Sequence, residues 1–419
     1  VLAYIHSKAS ALTPNAGEFL AFLHLRFFIA TAWHMQGLIV GWYAYWLTHD
    51  PLTLASIGMA EAIPAIGMAL PMGYWVDNWD KRKAMWAAIE LIILSAAGTC
   101  YLVHDAALAT WGQSSVLWGL LAMIMLNGTA RSMYGPAMFS TLGRIVPREN
   151  IARASAMSST MWQTAMVGGP MLGGLLYGLY DVEFASYVVL GLMLLGSCGT
   201  VWISAKPPVK QDHKAGMIED LTLGIRFIVS RPVIFGALSL DLLAVLFGGV
   251  VALLPVFATD ILFVDQRGLG LLRASMSIGS IIMMALLSWK PLGKNAGRQL
   301  LWAVAGFGLC ILGFASSTWF WLSFATLLLA GAFDAVSVIV RHTILQLETP
   351  EDMKGRVAAA NTMFISSSNE LGAVESGVVA RLLGTVPSVY IGALLTLFVV
   401  AFTATKNPAL RRMSLGDKA

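Results

Sequence analysis

Residues 122–174 and 325–377 of this chain align with each other without a gap. Gly128 matches Gly331, Pro147 matches Pro350, Arg153 matches Arg356, Ala156 matches Ala359, Gly169 matches Gly372 and Gly174 matches Gly377. Each copy is an apolar segment, a short charged loop and a second apolar segment. The repeat constrains the fold more than any other feature, because two copies of one unit must build two halves of similar design. At one matched position the charges are opposite: Arg131 in the first copy, Asp334 in the second.

The solvent for those halves follows from composition. Charged residues are 12% of the chain and apolar residues 57%, whereas a soluble domain carries about 25% charged residues. Such a chain cannot cover its own surface with water-compatible groups, so most of that surface must face lipid. No polar stretch is long enough to form a soluble domain. Cys100, Cys198 and Cys310 each fall inside an apolar segment and read as space-filling groups, not as a disulfide framework. No cleavable leader is evident at the N-terminus.

A membrane helix needs about 20 mainly apolar residues. That rule yields twelve spans: 19–47, 52–76, 84–103, 115–141, 153–179, 184–205, 233–259, 268–289, 299–316, 319–343, 356–381 and 386–405. The expected organisation is a six-helix half over 1–205, a linker over 206–232 and a second six-helix half over 233–419. In the linker, Ile218, Leu221, Ile225 and Ile228 share one helical face. It reads either as an amphipathic helix at the cytoplasmic surface or as a solvated connecting helix. Most of the 27 Lys and Arg residues, among them Lys81, Arg82, Lys83, Arg144, Arg148, Lys206 and Arg412, fall on one set of alternating connections. The opposite set carries Asp50, Asp105, Asp181, Glu183, Asp260 and Asp265. The bias places both termini in the cytoplasm.

Ionisable side chains within a span are costly and so mark cavities or partners. They are Arg26 and His34 in span 1, Glu61 in span 2, Glu90 in span 3, Arg131 in span 4, Asp241 in span 7, Arg273 in span 8, Asp334 and Arg341 in span 10, and Glu370 and Glu375 in span 11. Spans 6, 9 and 12 have none, and Glu90 lies near the inner surface. Spans 3, 6, 9 and 12 therefore read as lipid-facing supports. Polar stripes follow the helical period: Asn127, Arg131 and Tyr134 on span 4, Ser155, Ser159 and Gln163 on span 5, and Asp334, Ser337 and Arg341 on span 10. Asp241, Asp334, Glu370, Glu61 and Glu375 are the candidates for carrying protons. Arg131, Arg273, His34, Gln163, Asn127, Tyr134 and Trp33 are the candidates for lining a substrate cavity, with Trp42 and Trp162 as further stacking surfaces. A bland reading stands beside these: Arg131 and Asp334 as a static tie, Arg26 and Arg341 reaching back to headgroups, and His34 as a packing residue.

The loop after span 2 reads GYWVDNWDKRK over 73–83 and resembles the signature loop of the major facilitator superfamily. Asn78 and Asp80 depart from that pattern, whereas Gly73, Asp77, Lys81 and Arg82 keep it. The resemblance makes these four residues part of an inner gate. The loop after span 8, WKPLGKNAGR, lacks the acid. GGPMLGG over 168–174 resembles the antiporter motif of the drug-exporting branch, with Gly169 for close helix approach and Pro170 for a bend. Segments 240–262, 268–280 and 341–377 are similar to the enterobactin-exporter-like subgroup. The resemblance implies an all-α, twelve-helix membrane fold and alternating access. It implies proton-coupled export of a siderophore or drug, driven by the proton gradient and using no bound cofactor. It further implies a monomer in the bacterial inner membrane, with the bilayer and a small-molecule substrate as partners and no nucleic acid.

Uptake of a nutrient or iron chelate, and transport of a lysophospholipid, fit the same fold. An enzyme is not indicated: there is no phosphate-binding Gly-Lys-Ser/Thr loop, no His-Glu-x-x-His and no Cys pair. The seven histidines are scattered, so neither a catalytic cluster nor a metal site is expected.

Overall fold

The computed structural model describes residues 12–205, 217–289, 295–350 and 353–413. Among them there are helices and no strand. All twelve expected spans are present. Among the described residues, eight helices are long and apolar enough to cross a membrane by length and composition, and they are spans 3, 4, 6, 7, 8, 9, 10 and 12. The other four are Ala16–Thr48, Pro51–Gly67 with Ala69–Asn78, Ile151–Leu179 and Lys354–Leu383. These are spans 1, 2, 5 and 11. Each is diluted by the polar residues read from the sequence or, in span 2, is broken.

The breaks have local causes. Span 2 divides at Met68, where Pro71 in the first turn of the following helix has no N–H to return to the preceding turn. The helix of span 4, Asp105–Ile145, starts earlier than its hydropathy suggests and is interrupted at Gly112, whose φ of 74° is left-handed. Span 7 runs as an α-helix over Pro232–Phe247, stops at Gly248 and Gly249, and continues as tighter and wider turns over Val250–Ile261. Pro255 lies within that irregular stretch. Non-helical backbone survives at membrane depth only where protein surrounds it. Val250, Leu253, Leu254, Val256 and Phe257 are accordingly all buried.

The chain forms two compact units, one comprising Val1–Thr48 and Ala60–Asp212, the other His49–Met59 and His213–Ala419. In the first, Gln36 on span 1 donates to Thr99 on span 3 at 3.0 Å. Glu18 accepts from the backbone N–H and the hydroxyl of Ser204 at 3.0 and 2.8 Å, joining the ends of spans 1 and 6. In the second, Asn407 caps the short helix Pro408–Arg412 and donates to the carbonyl of Pro232 at 2.6 Å.

The duplicated glycines make matching approaches within each unit. A Cβ on Gly128 would run into the carbonyl of Glu61, and one on Gly331 into the carbonyl of Met276. Span 4 thus meets span 2 as span 10 meets span 8. A Cβ on Gly169 would lie 2.6 Å from the carbonyl of Thr31, and one on Gly372 would lie 2.9 Å from that of Leu246. Span 5 meets span 1 as span 11 meets span 7. Small residues permit such backbone contact where no hydrophobic effect drives helices together.

The linker helix is Met217–Ser230. Its Ile228 is buried with Ile234, Leu238, Leu345, Val357 and Ala360, and Ile225 packs against that cluster. This end of the helix lies on its own unit. The side chains of Ile218 and Leu221 are outside the described residues.

Candidate functional site

In the first unit the polar stripe of span 4 meets spans 1, 2 and 5. Arg131 pairs with Glu61 at 3.1 Å, with side chains 38% and 25% exposed. The close approach at Gly128 explains how a carboxylate from span 2 reaches span 4. Asn127 and Tyr134 are each 3% exposed on the same face. Trp33 of span 1 lies 6.2 Å from Tyr134 between ring centroids. His34 presents its ring edge-on to Trp162 of span 5 at 5.2 Å, and Gln163 is half-buried beside that tryptophan in sequence. The guanidinium of Arg26 lies over the Trp162 ring, 4.4 Å from its centroid. Six of the seven cavity candidates from the sequence thus fall in this unit, on spans 1, 4 and 5.

In the second unit Arg341 of span 10 forms an ion pair with Asp241 of span 7. The pair is buried, with Asp241 6% and Arg341 3% exposed. Arg341 therefore does not reach back to the headgroups. Ser337, one turn away, donates to the other carboxylate oxygen of Asp241 at 3.4 Å. A narrow crevice is lined by Asp241, Asp334 and Ser337 together with Ala244, Val245, Val304 and Phe307. Two carboxyl groups and one arginine therefore converge where span 7 faces span 10.

The remaining candidates are more dispersed. Glu370 is buried at 8% exposure. Glu375 is half-buried and accepts from Ser376 at 3.4 Å. Arg273 is half-buried on the helix Gln266–Trp289. Among the described residues no group of His, Cys, Asp and Glu is arranged to hold a metal ion.

At the signature loop, Gly73 and Asp77 fall within the helix Ala69–Asn78, and the Asp77 side chain lies outside the described residues. Lys81 is buried and donates to the carbonyl of Val76 at 2.6 Å. Asp80 caps span 3, accepting from the backbone N–H groups of Arg82 and Lys83 at 3.0 and 3.2 Å. The departure at this position thus has a structural use, satisfying donors that a helix start leaves open. Gly169 sits against span 1, and Pro170 is buried within its helix.

Two features are not legible in the sequence. The Asp241–Arg341 pair joins residues a hundred positions apart, and its one sequence signal is that each is a charge within an apolar span. Arg26 is able, by position, to reach the headgroups, whereas the structure holds it on Trp162.

Comparison with known proteins places this architecture. The sequence model described as Major Facilitator Superfamily matches residues 22–373. The enterobactin exporter EntS of Shigella dysenteriae serotype 1 (strain Sd197) is 26% identical, covering 93% of this chain and 94% of its own. The EntS of Citrobacter koseri (strain ATCC BAA-895) is 23% identical, covering 95% of each. Among solved structures, the nucleoside transporter NupG, as a single-residue mutant, superposes with a TM-score of 0.72 at 14% identity, covering 93% of this chain and 99% of that one. A bacterial homologue of the human lysosomal transporter Spinster, inward-facing and occupied, gives 0.70 at 13% identity, covering 95% and 97%.

Proposed function

The chain belongs to the major facilitator superfamily of membrane transporters, and on that premise we propose that it exports a small amphipathic molecule, a siderophore or drug, in exchange for protons by alternating access. The direction rests on likeness to enterobactin exporters over nearly the whole chain and on the glycine-rich motif of span 5. The coupling rests on one observation, the buried Asp241–Arg341 pair with Asp334 and Ser337 on the same crevice.

An antiporter must not leave its coupling acid charged and unpaired in a dry environment. Here the carboxylate of Asp241 is neutralised by Arg341. A proton arriving on Asp241 removes that attraction and frees the guanidinium to turn to the carboxylate of Asp334, seven residues away on the same helical face. The arginine thus has two acids to answer and can hold one ionised partner in either arrangement. The substrate is assigned to the polar and aromatic groups of the first unit, with Arg131 and Glu61 as its charged members. On this reading the protein is a monomer in the bacterial inner membrane with both termini in the cytoplasm. The proton gradient drives it and no bound cofactor takes part.

The test is proton flux in vesicles reconstituted with the purified chain during addition of dyes, drugs and catecholate siderophores. The expected result is substrate-triggered loss of an imposed pH gradient, abolished in Asp241→Asn and Asp334→Asn. Substrate movement that continues with the gradient collapsed would overturn proton coupling. Accumulation in the opposite orientation would make the protein an importer.

A further inference from the structure

Span 9 reads from the sequence as a lipid-facing support, and Trp302 on it is accordingly 76% exposed. Its other face has a different neighbour. Val304 and Phe307, one turn apart, are 3% and 8% exposed and wall the crevice that holds Asp241 of span 7 and Asp334 and Ser337 of span 10. Residues at helical spacing from three helices thus close around one small space. The ring of Phe307 also packs where the α-helix of span 7 ends: a Cβ on Gly248 would lie 2.6 Å from its Cε1.

The crevice encloses about 10 Å³, room for about one water. A held water needs about two to four polar partners, and three line this space. Ser337 gives its proton to Asp241 at 3.4 Å and keeps its lone pairs to accept another. Among the described residues Asp334 makes no hydrogen bond and no ion pair. A carboxyl group at membrane depth, without a protein partner and bordering a space of water size, is completed by a water. A metal cation fits less well, because the guanidinium of Arg341 already stands on Asp241 and repels it.

We propose that this crevice holds a single water that relays a proton between Asp334 and Asp241, with Phe307 as the positioning residue that keeps further water out. The inference rests on the coupling reading and deepens it. In the arrangement seen, Arg341 answers Asp241, and Asp334 carries the proton. The water takes that proton and gives one of its own to the carboxylate of Asp241, so an O–H bond breaks at Asp334, one forms at Asp241 and the water is restored. Arg341 then follows the negative charge to Asp334. Proton and guanidinium exchange places, so the net charge of the buried cluster never changes, which is what a site of low dielectric demands. Span 9 thereby joins the coupling site instead of only supporting it.

Two measurements on the purified full chain test this, and neither needs a transported compound. The first is hydroxyl-radical footprinting by X-ray pulse in nanodiscs, where a held water marks the side chain beside it. Phe307 should be modified despite its burial, and the fully buried Phe257 and Phe314 should not. Val304→Ile, whose added methylene fills the crevice, should cut that modification by about 10-fold or more. Phe307 modified no more than Phe257 in the wild type overturns the water. The second is decay of an imposed pH gradient in reconstituted vesicles. Phe307→Ala should lose the gradient several-fold faster than the wild type, and adding Asp334→Asn should restore it. A leak that survives Asp334→Asn is an open water path and overturns the relay; a leak that requires sodium, absent in choline buffer, assigns the crevice to a metal ion and does the same. Val245→Ile, on the same crevice, and Phe307→Leu carry the test if the first variants do not fold. An Asp334-dependent leak without substrate-driven exchange sinks the antiport reading alone. Substrate-driven exchange undiminished in Val304→Ile sinks the relay alone.

Discussion

Replacing Arg341 by Gln tests the coupling cluster most directly. Both members of the Asp241–Arg341 pair are over nine-tenths buried, so water cannot take over from the missing partner. Breaking a buried pair costs about 3 to 5 kcal/mol, because a charge is left behind uncompensated. For a cooperative unit of roughly 200 residues, each kcal/mol shifts the melting temperature by about 2 to 4 °C. Arg341→Gln should therefore lower the melting temperature by about 6 to 20 °C. Asp241→Asn should cost less, since Asp334 borders the same crevice and can receive the guanidinium, whereas Arg341→Gln leaves two carboxyl groups without a cation. The double variant Asp241→Asn with Arg341→Gln should be more stable than the sum of the single losses predicts, by about 2 kcal/mol. The assay is thermal unfolding of the purified proteins in one detergent, at one heating rate and one pH. Single variants that melt within about 2 °C of the wild type, or strict additivity in the double variant, would refute the view that this pair is buried and coupled.

The packing carries three further outcomes. Gly331→Leu should abolish folding or lower the yield sharply, since a side chain there meets the Met276 carbonyl; normal yield with unchanged melting would contradict the contact. Glu61→Gln should cost under about 1 kcal/mol, because its pair with Arg131 is partly exposed and such pairs contribute little, but it should tighten binding of an anionic probe; unchanged anion binding would remove Arg131 from the substrate cluster. Asp80→Ala should destabilise by about 1 kcal/mol through loss of the cap on span 3, with Asp80→Asn near wild type in thermal unfolding; equal losses in the two variants would show that the charge, not the cap, matters.

Much of the architecture is legible in the residues alone. Apolar runs of membrane length locate twelve spans because a helix in lipid must satisfy its own backbone, and that requirement is local. The repeat is legible for a related reason: Gly128 and Gly331, Gly169 and Gly372 keep their identity because only glycine allows one backbone to touch another at those points. The cost of a buried charge likewise singles out Glu61, Arg131, Asp241, Asp334 and Arg341 without reference to any partner.

Which charges meet is another matter. Asp241 belongs with Arg341 and Glu61 with Arg131, and no spacing along the chain encodes either pair. Partnership depends on how helices are rotated and how closely they approach, which is the sum of many weak packing contacts spread over each unit. The same holds for Arg26: its position in span 1 is equally compatible with reaching the headgroups and with lying on Trp162. The breaks in spans 2 and 7 stand between these cases. Pro71, Gly248, Gly249 and Pro255 allow them locally, but only surrounding protein makes an interrupted helix tolerable at membrane depth. The sequence by itself determined the membrane fold, its two-part design and the list of costly side chains, because those follow from local physics. Only the tertiary structure decided how those side chains combine, because pairing is a property of distances between helices that are far apart in the chain.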